Sequence, residues 1–488
     1  MQKIDVPLDG EYQSDTLAIS NQQAVNCHIN IPQTNSFAAI TLLGAAGIDQ
    51  IASTGRVKQV NRGSHVKAGR FYFINGTTLY RLDQGVDTIG AELFTPVPLG
   101  SVPGTKRCSF ADNGTQLIVV APESGNGWVV NEAAGTAFQS ITDTDFKANG
   151  NPQQVVFIDS FFVVTTDSKK FIKSAANDGL NWDPLEFGSA EADPDNIVTA
   201  IVNRNRLFVA GSETIEEFQN AGLGGFPFQR TGLVIPKGAY SPFGMVSIGD
   251  SFMWIGGGTN ESPAIWQLSG NGAQKVSTTA IDSELQDFSA ADLQDAFAFS
   301  FAQKGAFFIA FSFPSVTFVY DIVTAKWHER RSRITNDKGV QEDIRWRVNS
   351  LATAYNRIIC CDSQDGRVGV INPDSYMEYD QLMLREFSTF TLYNNGNSFS
   401  IPFAELTMES GVGNDVEPDP QIRLRTSPDA KRFNESIAKS VGKVGEFGAR
   451  QIWRKLGRFA RMSVIKWEFS APCKFSVLKV VLGVTNGR

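Results

Sequence analysis

The sequence has little with which to hold a metal, form a disulfide or cross a membrane. It carries five cysteines, an odd count, and only Cys360 and Cys361 lie near each other. No pair has zinc-site spacing, and adjacent cysteines rarely bond one another, so reduced thiols are expected. Three histidines, His28, His65 and His328, leave little room for a His-rich metal centre or a His-based triad. Positive charge is in deficit, with 44 Lys and Arg against 51 Asp and Glu and a net charge of −7. That excludes a general nucleic-acid coat, which needs a net basic face. Long apolar runs are missing too. The most apolar stretch, Ala296 to Phe313, is interrupted by Gln303, Lys304 and Gly305 and alternates with period two. It therefore predicts two strands and a turn, with no membrane span. The N-terminus from Met1 to Gly10 is polar, with Asp5 and Asp9, and is unlike a signal peptide. A chain made and kept in a cytoplasm until it is used is expected.

Helical periodicity is also nearly absent, which excludes an α-solenoid. The single helix expected runs from Asp282 to Leu293, after Thr278-Thr279. What the chain does have is size and apolar content. Its 488 residues, 42% hydrophobic and 19% charged, make a globular composition with a sizeable core and allow about three domains or one large all-β unit.

A repeat organises the middle of the chain. Short apolar segments recur at Phe71-Tyr72-Phe73-Ile74, Leu117-Ile118-Val119-Val120, Phe161-Phe162-Val163-Val164 and Leu207-Phe208-Val209-Ala210. They continue at Phe252-Met253-Trp254-Ile255, Phe307-Phe308-Ile309-Ala310 and Ile358-Ile359-Cys360-Cys361. Their starts are separated by 46, 44, 46, 45, 55 and 51 residues. Spacing near 45 marks a propeller or an array. Turn residues precede the segments, as in Asp112-Asn113-Gly114, Asp159-Ser160, Asn203-Arg204-Asn205 and Gly249-Asp250-Ser251. A further strand with a large apolar residue follows each one. Residues 56–375 are therefore expected to form a β-propeller of six or seven blades.

The two ends differ from the middle. Residues 1–55 read as an extended arm packing on the propeller or on a neighbouring subunit, with Val25, Ile29, Ile31, Ile40, Leu42 and Leu43 as its apolar points. Residues 376–488 alternate in and out, for example at Phe387 to Leu392, Phe403 to Met408 and Ser463 to Phe469, and predict a separate antiparallel β-sandwich.

Catalytic signals are weak. Gly222-Leu223-Gly224-Gly225-Phe226-Pro227 lacks the Lys-Ser/Thr of a phosphate loop, and Pro227 opposes a following helix. No Gly-x-Ser-x-Gly elbow stands between a strand and a helix. Ser174 to Trp182 resembles a turn repeated in sialidase-like propellers, but it occurs once and Asn177 stands where an Asp is expected. Glu216 and Glu217 are the candidate carboxylates for glycan cleavage, yet neighbouring strand residues point to opposite faces. No catalytic residue, cofactor or metal is assigned. The most localised charge is C-terminal: Arg450, Arg454, Lys455, Arg458, Arg461 and Lys466, interleaved with Trp453, Phe459 and Trp467 and with no acid between them. Arg450, Trp453, Arg454, Lys455, Arg458 and Arg461 are the candidate contact for DNA phosphates or for an acidic partner. The same residues also suit a solvated outer strand face.

Three stretches carry a family resemblance. Arg206-Leu207-Phe208-Val209-Ala210-Gly211-Ser212-Glu213-Thr214-Ile215-Glu216-Glu217-Phe218 and Ile452-Trp453-Arg454-Lys455-Leu456-Gly457-Arg458 are the stronger two. The third is Val25-Asn26-Cys27-His28-Ile29 with Leu42-Leu43-Gly44 and Gly47-Ile48, where Ala46 replaces a proline. In their order, and in chain length, they resemble the tail hub or nozzle, also called the packaged DNA stabilisation protein, of short-tailed phages of the Salmonella-phage type. The resemblance implies a structural virion protein made in the host cytoplasm. It further implies a homo-hexameric ring below the portal-adaptor ring that continues the double-stranded DNA channel, reads no sequence and docks tailspikes or tail fibres. Such a ring carries a formal charge of about −42, suited to a channel wall that does not hold DNA. The alternative is a propeller that binds or cleaves glycans.

Overall fold

A computed structural model describes residues 2–14, 16–32, 38–132, 136–193 and 195–486. Residues 33–37 of the expected arm thus lie outside the described residues.

The recurrent apolar segments become strands buried on both faces. Every residue of Leu117–Ala121 has 0% exposure. Such a strand is stable only between other layers, and its neighbours in the ring supply them. Each repeat is a four-stranded antiparallel meander. The first is Asn61–Lys67, Arg70–Asn75, Thr78–Val86 and Glu92–Ser101, from the axis outward. Two-residue turns join the innermost strand to the second. Both residues have positive φ at Ala68-Gly69, Asp159-Ser160, Arg204-Asn205, Lys304-Gly305 and Tyr355-Asn356. This left-handed pair is the turn whose twist matches the flanking strands.

Six blades follow one another over residues 61–335. The seventh combines Val348–Ala354, Arg357–Asp362 and Arg367–Asn372 with an outer strand from far upstream, Gly47–Ser53. That strand pairs antiparallel from Asn372↔Gly47 to Arg367↔Ser53, so it completes the last blade with the start of the chain and closes the circle. The described residues thus hold seven blades. Residues 47–53 therefore belong to the propeller and not to the expected arm over residues 1–55. Their partners lie more than three hundred residues along the chain, beyond the reach of local pattern.

Between blades five and six stand two short helices, Thr279–Asp287 and Ala290–Asp295, in place of the single expected helix. The break has a local cause. Ser289 accepts from the Asp292 N–H while the Asp292 side chain caps Ser289 in return, so a new helix starts there.

Beside the propeller lies a β-sandwich. One sheet runs Gln451–Arg454, Phe399–Met408, Ser476–Asn486, Thr41–Gly44, Cys27–Asn30, with Gln2–Val6 also on Ser476–Asn486. The other is built on Arg385–Ser388, Met462–Phe469, Gln421–Ser427 and Ile437–Ser440. Their shared core includes Val6, Cys27, Ile29 and Leu42 beside Trp453, Trp467 and Leu482. The N-terminal segment therefore contributes strands to the sandwich before it closes the propeller.

The two halves meet over buried polar groups. Val25 pairs with Glu329 of blade six, and the Glu11 carboxylate accepts from the Ala24 N–H at 2.7 Å. His28 and His328 lie 6.0 Å apart between ring centres, and burial holds both well below the usual imidazole range. All five cysteines are buried and free.

Candidate functional site

The basic segment forms one rim of the sandwich. Gln451–Arg454 and the short Arg458–Phe459 both pair with Phe399–Met408, at the edge of that sheet. Alternation decides which side chains face out. Gln451 and Trp453 turn inward, and Arg454, Lys455, Arg458 and Arg461 are exposed. Trp453 is 1% exposed, and its indole donates to the Ile437 carbonyl at 2.8 Å. It is a core residue that ties the edges of the two sheets together. Arg450 is exposed but ion-paired with Glu405, its Nε 3.0 Å from Oε1. Lys466 reaches Glu386 at 3.6 Å and covers the Phe433 ring. The unbroken cationic run of the sequence is thus partly neutralised by acids from other strands. Arg454, Lys455, Arg458 and Arg461 remain facing solvent, and Arg458 donates to Ser398 Oγ at 2.9 Å. Lys439 is exposed on the edge strand Ile437–Ser440, and the exposed apolar side chains Val444 and Phe447, the latter 78% exposed, belong to the loop before Arg450, where the Phe447 carbonyl accepts from Ser410 Oγ. An exposed row of arginines along a sheet edge suits contact with another protein.

The glycan-related features are structural. Trp182 packs on Phe146, and its indole donates to Gly179 O at 3.0 Å. The Asp178 carboxylate accepts from the Leu180 N–H. Glu216 is buried and bound to Arg230 Nε at 2.9 Å, while Glu217 accepts from the Thr231 hydroxyl at 2.6 Å. They occupy opposite faces of Ile215–Asn220 and do not face one another across a cleft. The 222–227 glycine loop joins two strands of blade four, and Phe226 packs against Phe171. No group of three or more His, Cys, Asp or Glu able to hold a metal occurs among the described residues. No helix among them is long and apolar enough to cross a membrane.

One polar feature escaped the sequence reading. Arg107 and Arg345, far apart in the chain, come together at the mouth of the propeller. No local motif surrounds either, so only the closed ring reveals them.

The geometry defines an all-β, two-part protein, a closed seven-bladed propeller whose N-terminal strands are shared with a C-terminal sandwich. Family models match both parts: "Bacteriophage P22 Gp10, beta-propeller" over residues 3–376 and "Bacteriophage P22 Gp10, beta-sandwich" over residues 384–483. The chain belongs to the bacteriophage P22 Gp10 family of structural phage tail proteins, and so to the virion. No curated protein matches it. Similar solved structures include the WD40 β-propeller domain of Doa1, at 11% identity and a TM-score of 0.40, covering 67% of this chain and 97% of that one. The computationally designed Ika8 protein matches at 13% identity and a TM-score of 0.36, covering 66% of this chain and 99% of that one.

Proposed function

We propose that the chain is a tail hub that assembles as a homo-hexameric ring beneath the portal-adaptor ring. There it continues the channel for double-stranded DNA, retains the packaged genome and offers docking surface to tailspikes or tail fibres. Assembly would begin in the host cytoplasm. The observation that carries this reading is the match of both parts of the chain, in order, to one phage tail family.

The charge distribution supports the assignment of faces. The sandwich rim at Arg454, Lys455, Arg458 and Arg461 is cationic and exposed, which suits an acidic protein partner or a neighbouring subunit. The net charge of −7 per chain suits a channel wall that repels DNA and lets it slide. A glycan-cleaving reading gains nothing from Glu216 and Glu217, which lie on opposite strand faces.

The test is the double variant Arg454→Glu, Arg458→Glu in tail assembly. Both residues are exposed, so the monomer is expected to fold with unchanged circular dichroism and melting. Incorporation into the tail is expected to fail. Normal incorporation of the folded variant would contradict the interface.

A further inference from the structure

The mouth of the propeller is a built cavity with surplus positive charge. It has a volume of about 560 Å³ and is lined by loops and strand ends of several blades, with no residue from the sandwich strands. Its centre is a pair of guanidinium groups. Arg107 stacks on the Phe297 ring at 3.4 Å from the centroid, and Arg345 lies 5.2 Å from the same centroid. Both donate to one neutral acceptor, Asn349 Oδ1, at 3.2 Å from Arg107 and 2.7 Å from Arg345. Arg107 also donates to the Asn349 carbonyl, and Arg345 to the Trp346 carbonyl at 2.9 Å.

Neither arginine has an ion-paired carboxylate among the described residues. The acids nearest the cavity are already engaged. Asp295 is held by Lys106 Nζ at 2.8 Å, and Glu123 accepts from the Thr105 and Lys106 N–H groups. Asp362, whose charge reaches Arg345, is bound by Arg347 and Arg367. Burial and the neighbouring Arg345 push the Arg107 guanidinium down from its ordinary value, and burial does the same to Arg345. Both are half-buried, and two partly desolvated cations without a counter-charge are costly, so one anion between them relieves that cost.

The lining sets the kind of anion. Lys106, Arg107 and Arg345 against Glu123 and Asp295 leave an excess of one positive charge, which a single negative charge neutralises. Phe243, Phe297, Phe313, Pro242 and Pro314 supply apolar walls. Phe243 and Phe297 are fixed by a parallel bridge and by the Ala298 N–H bond to the Phe243 carbonyl at 2.9 Å. A planar monoanion on a short apolar stem fits a guanidinium fork between rings.

We propose that the propeller mouth is a carboxylate-binding site in which Arg345 and Arg107, the latter braced on the Phe297 ring, clamp one carboxylate between them. The carboxylate is borne either by a peptide side chain or by a free small acid. This goes beyond the tail-hub reading and does not depend on it.

The test is isothermal titration calorimetry of the full chain with four probes. They are acetyl-Phe-Glu-Gly-amide, the same peptide with Gln in place of Glu, succinate, and inorganic phosphate. Binding of the Glu peptide but not of the Gln peptide is expected, with affinity about tenfold or more weaker in Arg345→Gln. Binding of succinate alone would support the site and assign it to a free acid. Equal binding of the Glu and Gln peptides, tighter binding of phosphate than of either carboxylate probe, or no binding by the folded chain at millimolar concentration would overturn it. The amide-for-acid comparison uses the unaltered protein, so it holds even if Arg345→Gln fails to fold. Arg345→Lys, which keeps the charge and loses the fork, is expected to retain only part of the affinity.

Discussion

Ile48 pairs with Ile371 across the seam where the start of the chain closes the last blade. Ile48 is 1% exposed and packs in the same apolar cluster as Ile371, Phe301 and Trp346. At this seam a strand from the start of the chain completes a blade built more than three hundred residues later, so ring closure and burial of the N-terminal segment are one event.

Ile48→Ala is therefore expected to cost about 2–5 kcal/mol, the range for truncating a buried aliphatic side chain. Urea unfolding followed by circular dichroism measures it. A cost near zero would mean that the seventh blade holds without this strand.

At the sandwich rim, neighbouring residues are expected to behave oppositely. Trp453→Ala, deleting a core indole, should cost about 3–5 kcal/mol. Arg454→Glu, one position on and exposed, should change stability by no more than about 0.5 kcal/mol. Chemical denaturation of the two variants distinguishes them. Similar losses would contradict the inward-outward alternation of this strand.

Blade seven holds a buried ion pair. Arg347 and Asp362 are 2% and 0% exposed, with Arg347 Nε 3.0 Å from Asp362 Oδ1. Asp362→Ala strands a buried guanidinium and is expected to cost about 3–5 kcal/mol. The double change Asp362→Leu, Arg347→Met is expected to recover much of that loss. Thermal melts of both variants test it. A harmless single change would contradict the burial.

Glu11, at the junction of propeller and sandwich, gives a pH dependence. Burial, and then the Glu329 carboxylate, push its carboxyl up from 4.5 to about 8, while Arg331 acts the other way and Glu284 adds to the rise. The folded chain therefore holds this proton more tightly than the unfolded chain does. The resulting stability is fully present below about 4.5 and is lost as pH rises toward about 8. Glu11→Gln keeps an acceptor for the Ala24 N–H and cannot ionise. Its melting temperature is expected to fall less than that of the unaltered chain between these limits. Parallel curves would contradict the assignment.

Much of the fold was legible because its signal is local. Leu117–Ala121 and its counterparts are apolar on both faces, and a strand with no polar face needs sheets on both sides. Turns such as Asp159-Ser160 announce their left-handed backbone by residue type. Ring closure by Gly47–Ser53 was hidden, because nothing in those seven residues names a partner beyond residue 366. The site was legible in part. Its cations could be seen, but Trp453 read as a contact residue among them until the register Ala404↔Trp453 put it inside the sandwich. Glu405 and Glu386, which pair with Arg450 and Lys466, come from strands distant in sequence. Arg107 and Arg345 carry no motif, and only the circular arrangement of blades brings them to one ring of Phe297.

The most direct test of the tail-hub function is to mix the purified chain with purified portal-adaptor complex and count bound copies by mass photometry, with negative-stain images locating them. The expected result is a hexameric ring added at the narrow end of the complex, even if the free chain is a monomer. No association by a demonstrably folded chain, or a stoichiometry that does not match the ring, would contradict it.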